Sequence, residues 1–298
     1  MLSKHLITRI VMFLIYPIAR ILFKPITRKY LTVFLFHEVT NNPSSFQIAN
    51  SNYTTIENFE KNILWIAENY EVVEISQILN LSRAIAKPLA VITFDDAWKG
   101  QVDASKYISS KYNLPITLFL NLGTVESRID IAALKNFNQI EIPRFNQSIT
   151  ISDVEKSLIS DFLNWQGEIM TMSEIYEIDQ LEMLTLANHS LHHYQAIELT
   201  DSEFLENIQF NEIGLLKLHS FRKYFAFPFG RPNIDFDESH LEMLKLQNYE
   251  HIFSADGKLN RMPLKPHALL SRINFSPSDC RKSDFWWATN KSTLLRRA

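Results

Sequence analysis

Leu89-Ala90-Val91-Ile92-Thr93-Phe94-Asp95-Asp96 is an apolar run that stops at two adjacent carboxylates. A run this short and apolar reads as a strand buried on both faces, as in a parallel sheet. Its C-terminal end then delivers two acids to a pocket. Neighbouring side chains on a strand point to opposite faces. Asp95 and Asp96 can therefore take different roles, one binding a metal and the other accepting a proton from water. A strand-end Asp pair also serves simply to cap the next helix. What separates these readings lies elsewhere in the chain.

Working outward, residues 97–111 read as a helix with Val102, Tyr107 and Ile108 facing inward, and 115–120 as the next strand, stopped by Asn121 and Gly123. Strand, helix, strand at this pitch is a βαβ unit and implies a parallel sheet. Upstream, residues 31–36 form a strand that ends in His37-Glu38-Val39. A helix over 55–69, capped by Thr55, repeats Phe59, Ile63 and Ile66 at helical spacing. A short strand at 71–75 and a helix at 76–86 follow. Downstream, 124–170 is less regular and reads as an insertion at the cleft rim. Helices are expected at 173–181, 200–219 and 237–247, and strands at 184–187, 224–230, 251–255 and 269–275. The first turn of the helix at 200–219 is acidic, as a helix dipole prefers. No linker divides the chain after residue 31.

The chain has 298 residues, 46% hydrophobic and 21% charged, enough for a substantial core. A net charge of −3 gives no basic field and excludes nucleic acid as the expected partner. One cysteine, Cys280, excludes an intramolecular disulfide and fits a reducing compartment. Residues 1–30 carry Lys4, Arg9, Arg20, Lys24, Arg28 and Lys29 and no acid. The apolar stretch at 10–19 is short of the roughly 20 residues that a spanning helix needs. We read 1–30 as a basic amphipathic segment apart from a catalytic domain at 31–298. It is expected to make peripheral contact with an anionic membrane, and the protein is expected in the cytoplasm, at the inner face of the cell membrane. The competing reading packs this segment on the domain.

His189 and His193 are four apart in Asn188-His189-Ser190-Leu191-His192-His193. On one helical turn both imidazoles face one side and can grip one ion. Two histidines and one carboxylate leave coordination positions open for water, and such an ion polarises a carbonyl.

Thr93-Phe94-Asp95-Asp96, His189-Ser190-x-x-His193 and Phe225-Ala226-Phe227-Pro228-Phe229-Gly230 together resemble the first three motifs of the NodB-homology polysaccharide deacetylases, carbohydrate esterase family four. The resemblance covers roughly residues 31–275. It implies an α/β fold, a distorted (β/α) barrel of the polysaccharide deacetylase type. It also implies a hydrolase that removes acetyl groups from glycans with one divalent ion, expected to be Zn²⁺. Carried over, Asp95 matches the base; Asp96, His189 and His193 match the metal ligands; Ser190 matches a residue that steadies the second motif. Pro228 and Gly230, with Phe229 between them, match the third motif's turn at the substrate groove. Trp98 is a further candidate for stacking on a sugar.

Two departures matter. The family's third motif commonly opens with an arginine that orients the base, and Ala226 stands in that place. No Leu-x-x-His occurs late in the chain to supply the acid. The form of the third motif instead resembles the poly-N-acetylglucosamine deacetylase-like branch, which is circularly permuted with its acid-bearing strand first. His37 matches that arrangement. For the missing arginine the sequence offers Arg272, in the late apolar strand Leu269-Leu270-Ser271-Arg272-Ile273-Asn274-Phe275. A charge there is not expected to be buried unpaired, and late strands of a closed barrel lie beside early ones. Arg272 is therefore expected to bond Asp95. The expected substrate is an N-acetylated oligosaccharide, polysaccharide or lipid-linked glycan. The alternative is a catalytically silent glycan-binding protein on the same fold.

Overall fold

The computed structural model describes residues 14, 16–18, 29–80, 87–137, 155–275, 277 and 281–295. Most of the basic segment at 1–30, residues 81–86 of the expected helix at 76–86, and Cys280 lie outside these. Of that helix, the described part is a 3-10 turn at Ile75–Asn80.

The strands are β1 (Tyr30–Phe36), β2 (Glu38–Val39), β3 (Tyr53–Thr54), β4 (Glu71–Val72), β5 (Leu89–Asp95), β6 (Ile116–Leu120), β7 (Leu184–Asn188), β8 (Phe221–Ala226), β9 (His251–Phe253), β10 (Asn260–Arg261), β11 (Leu269–Leu270) and β12 (Arg272–Asn274). The main sheet runs β1-β5-β6-β7-β8-β9-β11, and every neighbouring pair on this path is parallel. β12 then pairs in parallel with β1, Val33 opposite Arg272 and Leu35 opposite Asn274. Only Ser271 separates β11 from β12, so one late strand changes partner at Ser271 and joins the last strand to the first. The result is the expected distorted (β/α) barrel. Asn260 makes the switch: its Oδ1 accepts the Ser271 N–H at 2.7 Å, and its Nδ2 donates to the Ser271 carbonyl at 2.8 Å.

Side-chain alternation sorts the residues into two cores. Leu31, Val33, Leu89, Val91, Phe119, Ala187, Tyr224, Ala226, Phe253 and Leu270 fill the barrel. Phe34, Phe36, Ala90, Ile92, Phe94, Leu118 and Leu186 face outward against the helices. Fully burying one such aliphatic or aromatic side chain is worth about 1.5–3 kcal/mol, so the period-2 pattern fixes each strand's register. The helix Ile56–Asn69 buries Phe59, Ile63 and Ile66, and Thr55 caps it by accepting the Asn58 N–H.

Two expectations are revised. The helix after Asp96 spans Gln101–Tyr112, starting later than residue 97. Asp96 and Ala97 take positive φ angles of 74° and 55°, and Trp98 forms a β-bridge with Ile169, so the chain turns aside first. The irregular stretch at 124–170 contains the helices Leu122–Ser127, Ile131–Asn136 and Glu155–Gln166. Their short apolar runs lack the long periodicity that marks a helix in sequence. Near the N-terminus, Tyr16 packs edge-on against Trp286 at 6.4 Å, while Leu14 and Ile18 are exposed. Among the described residues no helix is long and apolar enough to cross a membrane.

Candidate metal and active centre

The inward-facing rows of the barrel end in polar side chains at the C-terminal edge of the sheet. Leu89, Val91 and Thr93 lead to Asp95; Ala187 leads to His189; Leu270 leads to Arg272; Leu31, Val33 and Leu35 lead to His37. Strand parity aims Asp95, His189 and His37 at one mouth, and Arg272, opposite Val33 at the start of β12, reaches Asp95 from below with its long side chain.

Three donor atoms converge there. His189 Nε2 lies 3.2 Å and His193 Nε2 3.1 Å from Asp96 Oδ1. All three residues are buried. His189 Nδ1 faces the Ala226 carbonyl at 2.8 Å, so it must carry the hydrogen and donate. His193 Nδ1 faces Asp130 Oδ2 at 3.0 Å and donates likewise. In the neutral imidazole each Nε2 then presents a lone pair to a carboxylate oxygen that has no hydrogen-bond donor of its own. Three electron pairs meeting in a buried space call for a cation. Donors bonded to one ion at about 2.0–2.2 Å sit roughly 3 Å or more apart, which is the spacing seen. The residues fit a divalent ion, with Asp96, His189 and His193 as ligands.

Electrostatics agree. Burial opposes ionisation of Asp96, but His193, His189 and His37 outweigh it and hold the carboxyl well below its usual range. Burial also opposes a charge on His193, yet Asp130 and Asp96 push its pKa up to about 9. A cation entering the centre displaces that proton.

Asp95 stands beside this cluster, with Oδ2 3.7 Å from His189 Nε2. Arg272 grips it with a planar fork: Nη1 donates to Oδ1 at 2.6 Å and Nη2 to Oδ2 at 2.7 Å. Arg272 Nε donates to the Ser254 carbonyl at 3.0 Å, and the guanidinium lies 5.3 Å from the Phe119 ring centre. The late-strand arginine thus gives Asp95 the cationic partner that Ala226 cannot supply. His37 presents Nε2 4.0 Å from Asp96 Oδ2. Burial lowers its pKa more than the charges of Asp96 and Asp95 raise it.

Residues 83–251, more than half of the chain, match the family described as polysaccharide deacetylase. The chain belongs to the polysaccharide deacetylase family. It is a hydrolytic deacetylase of the NodB-homology type, carbohydrate esterase family four. No curated protein sequence matches it. Solved structures similar in fold include the deacetylase PplD of Streptococcus pyogenes, 15% identical with a TM-score of 0.61, covering 89% of this chain and 97% of that one. IcaB of Ammonifex degensii is 17% identical with a TM-score of 0.60, covering 87% and 97%. A de-N-acetylase from Aggregatibacter actinomycetemcomitans is 13% identical with a TM-score of 0.59, covering 85% and 97%. His37 and Arg272 both lie outside the stretch that matches the family, on the two strands that close the barrel.

Within this deacetylase, several sequence expectations need correction. His189 and His193 do not share a helical turn: Ser190 and His193 have φ of 65° and 58°, and the segment is an irregular loop. Asn188 and Asn207 hold it, accepting the Ser190 and His192 N–H groups at 2.9 and 3.3 Å. Ser190 Oγ is buried and has no hydrogen-bond partner, so its hydroxyl does not steady the motif. Trp98 is fully buried and cannot stack on a sugar; its indole N–H donates to Asp96 Oδ2 at 3.1 Å. Pro228 and Gly230 are buried in the turn, and a Cβ on Gly230, whose φ is +75°, would meet Ala255 N at 2.7 Å. Phe229 alone of that turn is exposed, its ring stacked on His193 at 5.2 Å. Arg231 is bonded to the buried Asp235 through three donors and fixes the loop beyond.

Two contributors carried no chemical signal in the sequence. Asp130 appears there only as an N-cap before Ile131-Ala132-Ala133-Leu134. Gln101 opens a helix, yet its Nε2 donates to the backbone carbonyls of both Asp95 and His37 and ties the two strand ends together.

Proposed function

We propose that this chain removes acetyl groups from an N-acetylated glycan or its lipid-linked precursor, using one divalent ion, Zn²⁺ or a similar metal. The observation that carries the reading is the convergence of Asp96, His189 and His193 beside a carboxylate held by an arginine fork. Asp96, His189 and His193 would hold the ion, which supplies Lewis-acid polarisation of the acetyl carbonyl and of water. Asp95 accepts a proton from the attacking water, and Arg272 keeps its carboxylate in one orientation. His37, on the other flank, passes a proton to the nitrogen that leaves as the amine. A hollow of about 580 Å³ lined by Arg231, Asn233, Ile234, Asp256, Lys258 and Asn274 begins next to the Phe229 turn and gives room for neighbouring sugar units. Peripheral membrane contact through the basic N-terminus, in the cytoplasm, belongs to the same reading and would place the enzyme beside lipid-linked substrate. The silent-binder alternative rested on the missing third-motif arginine, and the Arg272 fork removes that motive.

The test is acetate release from a panel of N-acetylated oligosaccharides, polysaccharides and lipid-linked sugars, before and after chelation and with Zn²⁺ restored. Metal-dependent release from at least one N-acetylated glycan supports the reading. Release that survives complete chelation contradicts it.

A further inference from the structure

Asp130 is fully buried and uses its two carboxylate oxygens in different directions. Oδ1 accepts the Ala132 and Ala133 N–H groups at 2.6 and 3.1 Å and caps the helix Ile131–Asn136. Oδ2 points away from that helix and accepts from His193 Nδ1 at 3.0 Å. The backbone around it is clamped as well: Asp130 N donates to Gln166 Oε1 at 2.6 Å, and Gln166 Nε2 donates to the Arg128 carbonyl at 3.1 Å. Gln166 is itself buried and ends the helix Glu155–Gln166. Ser44 Oγ donates to its carbonyl at 2.7 Å.

A helix cap needs only one oxygen. The second, aimed at a metal-ligating histidine, asks for another explanation. We propose that Asp130 is a positioning residue that couples metal occupancy at His193 to the helix Ile131–Asn136 it caps. The inference rests on the metal reading given above. His193 lies in a loop at positive φ, and its ring has stacking from Phe229 but only Asp130 on Nδ1. A carboxylate on Nδ1 fixes the tautomer that leaves Nε2 free for the ion and makes the imidazole a stronger ligand. In return, a cation on Nε2 strengthens the Nδ1–H donor and anchors the carboxylate that caps the helix. Such coupling is reciprocal: whatever the cap contributes to metal affinity, the metal contributes to the cap.

The full-length chain and its Asp130→Asn and Asp130→Ala variants should be compared in two measurements. One is Zn²⁺ affinity by competition with a chromogenic chelator. The other is hydrogen exchange at the Ala132 and Ala133 amides with and without Zn²⁺. Asp130→Ala is expected to weaken Zn²⁺ binding about 10–100-fold and to abolish the metal-dependent slowing of exchange. Asp130→Asn keeps one oxygen, enough for the cap, but loses the charge and the second acceptor that faces His193 Nδ1, and should fall between. Unchanged Zn²⁺ affinity in both variants, or in Asp130→Asn alone if Asp130→Ala does not fold, overturns the proposal even if the helix exchanges faster, because that is the signature of a cap and nothing more. Wild-type exchange that ignores Zn²⁺ overturns it too. Failure of the wild-type chain to bind Zn²⁺ at all would instead overturn the metal reading, and this inference with it.

Discussion

Replacing Arg272 with alanine removes both prongs of the fork on Asp95 and the Nε bond to Ser254. The Arg272 side chain is fully buried and that of Asp95 only 4% exposed, so solvent cannot take over the lost partner. Hydrogen bonds to charged groups are worth about 1.5–3 kcal/mol each, which puts the two prongs at roughly 3–6 kcal/mol. Breaking one side of a buried ion pair costs about 3–5 kcal/mol. Against a typical total of about 5–15 kcal/mol, the variant should fold with a lower melting temperature. Its rate should fall much further than its fold. A positioned base contributes about 10²–10⁴-fold, and without the fork Asp95 loses its fixed direction. The metal should stay, because the Arg272 bonds go to Asp95 and Ser254. Lysine at this position restores charge but not the planar grip and should recover only part of the rate. The assay is initial-rate acetate release alongside bound-metal analysis and thermal unfolding. Near-normal kcat in Arg272→Ala, or loss of metal from it, would refute the assignment of Arg272 as the support of the base.

Three further predictions follow from the same geometry. His37→Ala should lower kcat by about 10²–10⁴-fold with metal content unchanged; a variant that loses metal would place His37 among the ligands instead. Trp98→Phe removes the indole N–H that holds Asp96 Oδ2, so Zn²⁺ affinity should drop while the substrate KM stays near normal, and the opposite pattern would restore a sugar-stacking role. Glu38 is buried, and burial raises its pKa from 4.5 to about 7. The fold therefore holds its proton more tightly than the unfolded chain, so the contribution of Glu38 to stability is greatest below about pH 4.5 and falls as pH rises through 7, by about 3 kcal/mol in all. Glu38→Gln should flatten that part of a melting temperature against pH curve, and an unchanged slope would assign the pH dependence to other groups.

Much of the fold and part of the centre were legible in the sequence for one reason: strand parity is local. The run from Leu89 to Asp96 shows its own period, and a charge in the late apolar strand, set against the early strands by barrel closure, was enough to anticipate the contact between Arg272 and Asp95. The loop bearing His189 and His193 misled because a four-residue spacing suits a helical turn and an irregular turn equally. Positive φ at Ser190 and His193 leaves no mark on residue type. Trp98 was misplaced for a related reason, since the bend at Asp96 and Ala97 carries its indole under the carboxylate. Asp130 was invisible as a chemical residue: its cap is written locally, but its partner His193 lies across the fold. Arg272 and His37 also show why the stretch matching the family is shorter than the centre, because both sit on strands that close the barrel outside it.

The central claim is that Asp96, His189 and His193 hold one divalent ion on which deacetylation depends. The most direct test is metal stoichiometry of chelated and Zn²⁺-reloaded protein, read together with acetate release from an N-acetylated glycan. The wild type should hold one ion per chain, and His189→Ala and His193→Ala should each lose the ion and the activity together. Full occupancy in both variants, or undiminished acetate release from the metal-stripped wild type, would contradict it.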